Sequence, residues 1–273
     1  MKSRIFDLTL WRNIYRLCIK GNVTTLSASL AYYMLFSLLP ALAAARGIVS
    51  AFPSIDLPLE ELVEARLPKD VAVILEEVFL KSEKSSSGGA FTGGILISVF
   101  AFTRFIRSLK IHMEKVSGEK RRHSYIGSWI FSLSMSVSAL LVLFLSLAAL
   151  VFGEQILKLL SEAFYAERIF LLLWGRLRVL ALFLLLVLFL ALLFYFLPSP
   201  KKKLVHVFPA VAFTSFCWMV SGYVFSFYVN AFAHRSLAYA SFGGFVILIS
   251  WLYVLSLIIL IGANINVAFC KRL

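Results

Sequence analysis

The chain has 273 residues, of which 61% are hydrophobic, 15% aromatic and 15% charged. A water-soluble domain of this length has too little interior to bury so much apolar surface, so the composition excludes an ordinary soluble protein and makes lipid the solvent. The formal net charge of +13 raises the question of nucleic acid. However, the basic residues sit in short clusters beside apolar runs, with no folded basic domain to present them, so they point to orientation in a membrane and not to a nucleic-acid partner.

Residues 1–24 read as an N-terminal arm. Trp11, Ile14, Tyr15 and Cys18 recur at i, i+3, i+4 and i+7, and Arg12, Arg16 and Lys20 repeat every four residues on another face. That pattern predicts a helix lying in the cytoplasmic interface, with its aromatics at headgroup depth and its cations toward anionic lipid. A cleavable signal peptide is disfavoured, because no small-residue cleavage pattern follows the charged stretch.

Six apolar segments follow, near 26–52, 90–108, 126–152, 168–197, 205–229 and 241–269, each long enough to cross the hydrocarbon core as a helix. The predicted fold class is therefore all-α: a single membrane domain over 1–273, formed by a bundle of six transmembrane helices with an N-terminal interfacial helix. The outer loop 53–89 between spans 1 and 2 is predicted to be helical. In it Pro58 and Pro68 precede two amphipathic stretches (Leu59, Leu62, Val63, then Val71, Ile74, Leu75, Val78), and Ser85 to Gly89 read as a hinge.

The 27 Lys and Arg are sorted between alternate connections. Seventeen lie in the N-terminal arm, the 104–124 connection, the Lys201–Lys203 turn and the Lys271, Arg272 tail; seven lie in the opposite set, at Arg66, Lys69, Lys81, Lys84, Lys158, Arg168 and Arg235. Of the 14 acids, only Asp7, Glu114 and Glu119 fall on the more basic side. Positive-inside sorting then places both termini in the cytoplasm.

Small and hydroxyl residues recur inside the spans at helical spacing: Ser132 with Ser136, Ser134 with Ser138, Gly93 with Gly94, and Gly243 with Gly244. Close helix packing is the plain explanation. Pro40 and Pro209 remove backbone donors in spans 1 and 5. Asn264, Asn266, Ser250 and Ser256 are polar intramembrane candidates for lining a pathway, although helix-to-helix hydrogen bonding explains them equally.

The three remaining arginines, Arg46, Arg176 and Arg178, fall inside spans and toward their outer ends. Buried centrally, each would cost roughly 2.5–3.5 kcal/mol by insertion measurements. They either snorkel to the outer interface or converge on an anion such as a lipid phosphate, which the planar guanidinium binds bidentately. On the inner side Arg104 and Arg107 follow a span of short apolar length and are candidates to hold a headgroup, beside a simple anchoring role.

The segment Leu26-Ser-Ala-Ser-Leu-Ala-Tyr-Tyr-Met-Leu-Phe-Ser-Leu-Leu-Pro40 resembles the first-span signature of the YihY/BrkB family of integral membrane proteins, formerly labelled the ribonuclease BN family. Its motif positions here are Leu30, Ala31, Tyr32, Ser37 and Pro40. Tyr195-Phe-Leu-Pro198 with Pro209, and Ser241-Phe-Gly-Gly through Trp251 to Gly262-Ala-Asn-Ile-Asn266, are similar to further family segments in the same order. The resemblance implies six spans and a location in the bacterial cytoplasmic (inner) membrane. It implies no settled activity. Where relatives commonly read Gly-Ala-Glu, this chain has Gly262, Ala263, Asn264, whose side chain hydrogen-bonds but does not titrate.

The expected class is not an enzyme. Ribonuclease chemistry needs metal-binding acids or a His and Lys constellation on the cytoplasmic side, whereas His112 and His123 sit in a basic loop without ligand spacing. Cys18, Cys217 and Cys270 show no CxxC pairing, and no P-loop or GxSxG is present, so no metal and no cofactor is expected. The leading expectation is a multi-pass membrane protein that binds or translocates an anionic lipid or similar amphiphile, with membrane phospholipid as its partner. The alternatives are a non-transporting scaffold that docks an envelope protein, and an ion carrier, which the lack of intramembrane carboxylates weakens. The oligomeric state is not encoded in any of these patterns.

Overall fold

The computed structural model describes residues 8–50, 88–118, 125–164, 167–196, 204–232 and 240–271, with side-chain surroundings described for 10–38, 40–41, 92–118, 126–146, 180–196, 207–228 and 245–270. Among the described residues there are seven α-helices and no strand: α1 (Leu8–Lys20), α2 (Val23–Ser50), α3 (Gly88–Ser117), α4 (Tyr125–Phe164), α5 (Glu167–Phe196), α6 (Leu204–Phe232) and α7 (Ala240–Lys271). Among the described residues three stretches are long and apolar enough to cross a membrane, Ile126–Ser146, Val207–Tyr228 and Phe245–Cys270, and Val23–Leu38 and Leu180–Phe196 are shorter apolar stretches. Residues 53–87 of the outer loop 53–89, Pro198, Lys201–Lys203 and His123 lie outside the described residues, as do the side chains of Arg46, Arg176 and Arg178, while Gly88 and Gly89, read as part of a hinge, begin α3.

Helix α2 packs against α3 and α7; α4 joins α3 to α5; α6 lies between α5 and α7; and α1 rests on α7. The principal core forms at one end of the bundle. It gathers Phe105 and Leu109 near the end of α3, Leu193 and Phe194 near the end of α5, Val207 and Ala210 at the start of α6, and Ile259 and Ala263 of α7. These ends meet because each carries an apolar stripe at helical spacing, and α1 closes over them.

The surface pattern is inverted relative to a soluble bundle. Leu180, Leu184, Leu188 and Leu192 project outward every four residues on α5, and Phe216, Tyr223 and Phe227 do so on α6. Several buried polar side chains are hydrogen-bonded within: Ser27 to the Val23 carbonyl at 2.7 Å, Ser98 to Gly94 at 2.7 Å, and Thr103 to Val99 at 2.6 Å, whereas Thr214 Oγ1 and Trp251 Nε1 are buried without a partner. An apolar exterior over largely satisfied interior polar groups suits a hydrocarbon solvent.

Two details go beyond the sequence reading. The helix that carries the 90–108 segment runs on to Ser117, because Leu109, Met113 and Val116 keep its apolar stripe buried while Arg104, Arg107 and Lys110 occupy other faces. The arm does not present one apolar face. Leu10 and Ile14 are buried, with Leu17 and Cys18 packed beside them, whereas Trp11, Tyr15 and Ile19 stay more than half exposed. The bundle end takes the face that completes its core and leaves the second apolar stripe outward.

The α1–α2 turn depends on two residues. The Gly21 N–H donates to the Leu17 carbonyl at 2.9 Å and the Asn22 N–H to Ile19 at 3.0 Å. Asn22 has φ +48°, a left-handed conformation that Asn tolerates.

Candidate functional site

Three cations of α3 converge on the first turns of α4. The Arg104 guanidinium lies 5.2 Å from the Phe100 ring centroid and 5.9 Å from that of Trp129, and the Arg107 guanidinium lies 5.1 Å from Trp129. One turn further, Lys110 donates a 3.1 Å hydrogen bond to Ser128 Oγ, approaches the Phe131 ring at 5.2 Å, and sits 3.9 Å from Glu114 Oε1. The spacing 104, 107, 110 keeps these side chains along one seam. Lys110 is buried, and burial pushes its pKa below the ordinary value, with Glu114 acting in the opposite direction. Among side chains with described surroundings, Glu114 is the one acid.

Cation–aromatic contact engages a guanidinium by its face, and its N–H donors lie in the plane, where their spacing matches two oxygens of a carboxylate or phosphate. The seam opens on an apolar outer surface that includes Phe100, Ile126 and Ile130. Arg104 is itself exposed beside Phe100. The N-terminus of α4 adds the partial positive charge of a helix start to the same region. Chemically this is an arrangement for an anion at the margin of an apolar surface.

The polar candidates of α7 have other partners. Asn264 Oδ1 lies 3.2 Å from His112 Nε2 on α3, and Asn264 Nδ2 donates to Cys18 Sγ on α1 at 3.3 Å. Asn266 Nδ2 donates to the Phe194 carbonyl on α5 at 2.9 Å. Ser256 is buried and donates to Met34 Sδ at 3.4 Å, and Ser250 is exposed and bonds back to the Val246 carbonyl at 2.8 Å. Hydrogen bonding between and within helices accounts for all four. Ser132, Ser134 and Ser138 likewise bond within α4, and Ser136 alone of that set crosses, to the Val99 carbonyl of α3 at 2.9 Å.

Most of the family-motif positions with described surroundings lie buried or half-buried in the bundle. Leu30 and Ala31 are buried, Ser37 bonds the Met34 carbonyl, and Tyr32 is exposed with its ring 4.5 Å from Phe36. Tyr195 packs against the core, Pro40 and Pro209 are half-buried, and Trp251 stacks on Phe225 at 4.5 Å. Gly262 meets Thr214 so closely that a Cβ there would collide with its Oγ1.

The sequence reading puts His112 in a basic loop. It is in fact buried, on the stripe of Leu109, Met113 and Val116. That i, i+3, i+4, i+7 spacing is the signal by which a buried histidine is recognised. Trp129 carried no signal beyond that of an aromatic near a span end.

Residues 14–273 match the family model described as Virulence factor BrkB. A curated protein of Bacillus subtilis (strain 168), described as "Putative ribonuclease-like protein YfkH", is 26% identical over 246 residues, which span 90% of this chain and 90% of that protein. No solved structure matches.

Proposed function

The chain belongs to the BrkB family of membrane proteins, and from that premise we propose that it binds or translocates an anionic lipid or similar amphiphile in the bacterial cytoplasmic membrane. In this reading it is a six-span protein with both termini cytoplasmic, and α1 lies at the inner interface. The end of the bundle where α1, the ends of α3, α5 and α7 and the start of α6 meet is then the cytoplasmic end. The sorting of basic residues supports that orientation.

The observation that carries the lipid reading is the seam of Arg104 and Arg107 around Trp129, set beside outward-facing Phe100. A phospholipid bound there would place its acyl chains along the apolar surface of α3 and α4 and its phosphate among the guanidinium donors. No step of nuclease chemistry follows from the buried His112, whose ring faces Asn264 and not solvent. The ribonuclease-like description of the Bacillus relative is not carried over.

Native mass spectrometry of the gently purified protein tests the reading, comparing wild type with an Arg104→Gln, Arg107→Gln variant. Selective retention of anionic lipid by wild type and its loss in the variant is the expected result, and it would justify a flipping assay in vesicles. Retention without preference in both forms would refute the reading and favour the scaffold alternative.

A further inference from the structure

The cations of α3 stand at two depths. Lys110 is 4% exposed and donates to Ser128 Oγ at 3.1 Å, while Ser128 gives its own O–H to no acceptor among the described residues. Arg104 precedes Lys110 by roughly 9 Å along the helix axis, at 1.5 Å per residue. It falls inside the apolar segment 90–108, on the exposed stripe of Leu96, Ile97 and Phe100. Among the described residues it makes no hydrogen bond and no ion pair; its guanidinium lies over two rings, Phe100 at 5.2 Å and Trp129 at 5.9 Å.

Phe100 is one turn back along α3, farther from Ser117 and therefore deeper in the bilayer in the orientation proposed above. An arginine escaping hydrocarbon extends toward the nearest interface. Arg104 instead keeps its charge over Phe100, on a lipid-facing surface where a lone cation is unfavourable and an anion relieves it.

Resting on that orientation and on the lipid site already described, we propose that the seam moves a phosphate headgroup between two positions, a shallow one at Ser128 backed by Lys110 and a deep one on Arg104, so that the protein translocates the lipid passively and does not only retain it.

In the shallow position the Ser128 O–H donates to a phosphate oxygen. Its oxygen accepts from the Lys110 ammonium, which polarises the hydroxyl and strengthens it as a donor, so the buried charge acts without leaving its place. Glu114, 3.9 Å from Lys110, is too distant for a hydrogen bond and offsets that charge only in part. Arg107, 5.1 Å from Trp129, shares that ring with Arg104, so the phosphate passes from one guanidinium to the next along a single aromatic side chain. In the deep position the Arg104 fork takes both non-bridging oxygens of a phosphodiester. The acyl chains stay in lipid throughout, against Leu96, Ile97 and Phe100 of α3 and Ile130, Leu133 and Val137 of α4, all of which face outward. Two moderate binding positions, and not one tight one, are what movement requires.

The full-length protein in phosphatidylcholine vesicles, with a trace of tail-labelled phosphatidylglycerol, tests this. Quenching of the label from outside reads movement between leaflets, and titration of phosphatidylglycerol into delipidated protein reads binding. Wild type is expected to move phosphatidylglycerol faster than labelled phosphatidylcholine and faster than protein-free vesicles do. Arg104→Gln, a substitution at an exposed position, is expected to slow that movement by at least about tenfold while affinity stays within about threefold of wild type. Ser128→Ala is expected to lower affinity and movement together. Selective binding without movement in wild type overturns the two-position route and leaves the lipid site standing. Movement and affinity falling equally in Arg104→Gln, or both unchanged, overturns it as well, as does a Ser128→Ala protein that matches wild type. Absence of selective binding removes the lipid site and this route with it. Should Arg104→Gln fail to fold, the wild-type comparison decides alone: phosphatidylcholine moving as fast as phosphatidylglycerol overturns the route.

Discussion

Asn266 of α7 donates a 2.9 Å hydrogen bond to the main-chain carbonyl of Phe194, near the end of α5. In a continuing helix that carbonyl would accept from the N–H of residue 198, but residue 198 is proline and has none. Asn266 thus supplies a donor that a proline at 198 lacks, and Phe194 of α5 and the Gly262–Asn266 segment of α7, far apart in sequence, meet at one bond.

Asn266→Leu leaves the buried Phe194 carbonyl without a partner and is expected to lower stability by about 1–3 kcal/mol. Thermal unfolding in a fixed detergent, compared with wild type, checks this. An unchanged midpoint would mean that the carbonyl finds another donor.

Gly262→Ala inserts a methyl against Thr214 Oγ1, with the Phe194 ring 3.1 Å away. The expected loss is about 1–3 kcal/mol, as for overpacking. Because Thr214 Oγ1 is buried without a hydrogen-bond partner, Thr214→Ala removes the colliding atom and breaks no bond. The double variant should recover much of the loss, and additive losses would show that the collision is not the cause.

Ser136→Ala removes the hydroxyl bond from α4 to the Val99 carbonyl of α3 and should cost about 0.6 kcal/mol, the usual scale for such bonds in membranes. Ser134, exposed and bonded within its own helix, serves as the control. Equal effects at both positions would deny Ser136 a role in joining the helices.

Trp129→Leu removes the ring shared by Arg104 and Arg107 while keeping both charges. If the ring positions the guanidinium groups for a headgroup, anionic-lipid affinity falls roughly two- to thirtyfold, the equivalent of about 0.5–2 kcal/mol. Titration of lipid into delipidated protein measures it, and undiminished affinity would show that charge alone suffices.

Cys18 sits against the bundle with Asn264 donating to its sulfur. Burial raises its thiol pKa above 9.0, and the Asn264 bond opposes this, so the thiolate is scarce at neutral pH. Alkylation of a variant retaining only this cysteine should be slower than that of a free cysteine. Gly21→Ala, which unseats the His112 ring, should accelerate it. Equal rates in the two forms would mean that the close fit of the His112 ring on Gly21 does not hold α1 in place.

The sequence by itself determined the class of solvent and the helical fold, because apolar runs of this length with charges kept at their ends have no other stable state in lipid. It also determined the family, through residues such as Leu30, Pro40, Trp251 and Gly262, and it singled out Arg104 and Arg107. Only the tertiary structure decided what those groups touch. Periodicity assigns a residue to a face but not a face to a neighbour, so Trp11 and Ile14 were read as one stripe until packing on α7 divided them. For the same reason Asn264 and Asn266 stood between lining a pathway and joining helices until His112, Cys18 and the Phe194 carbonyl were brought beside them. Those partners lie from 72 to 246 residues away in the chain, and only the folded bundle brings them within hydrogen-bonding distance.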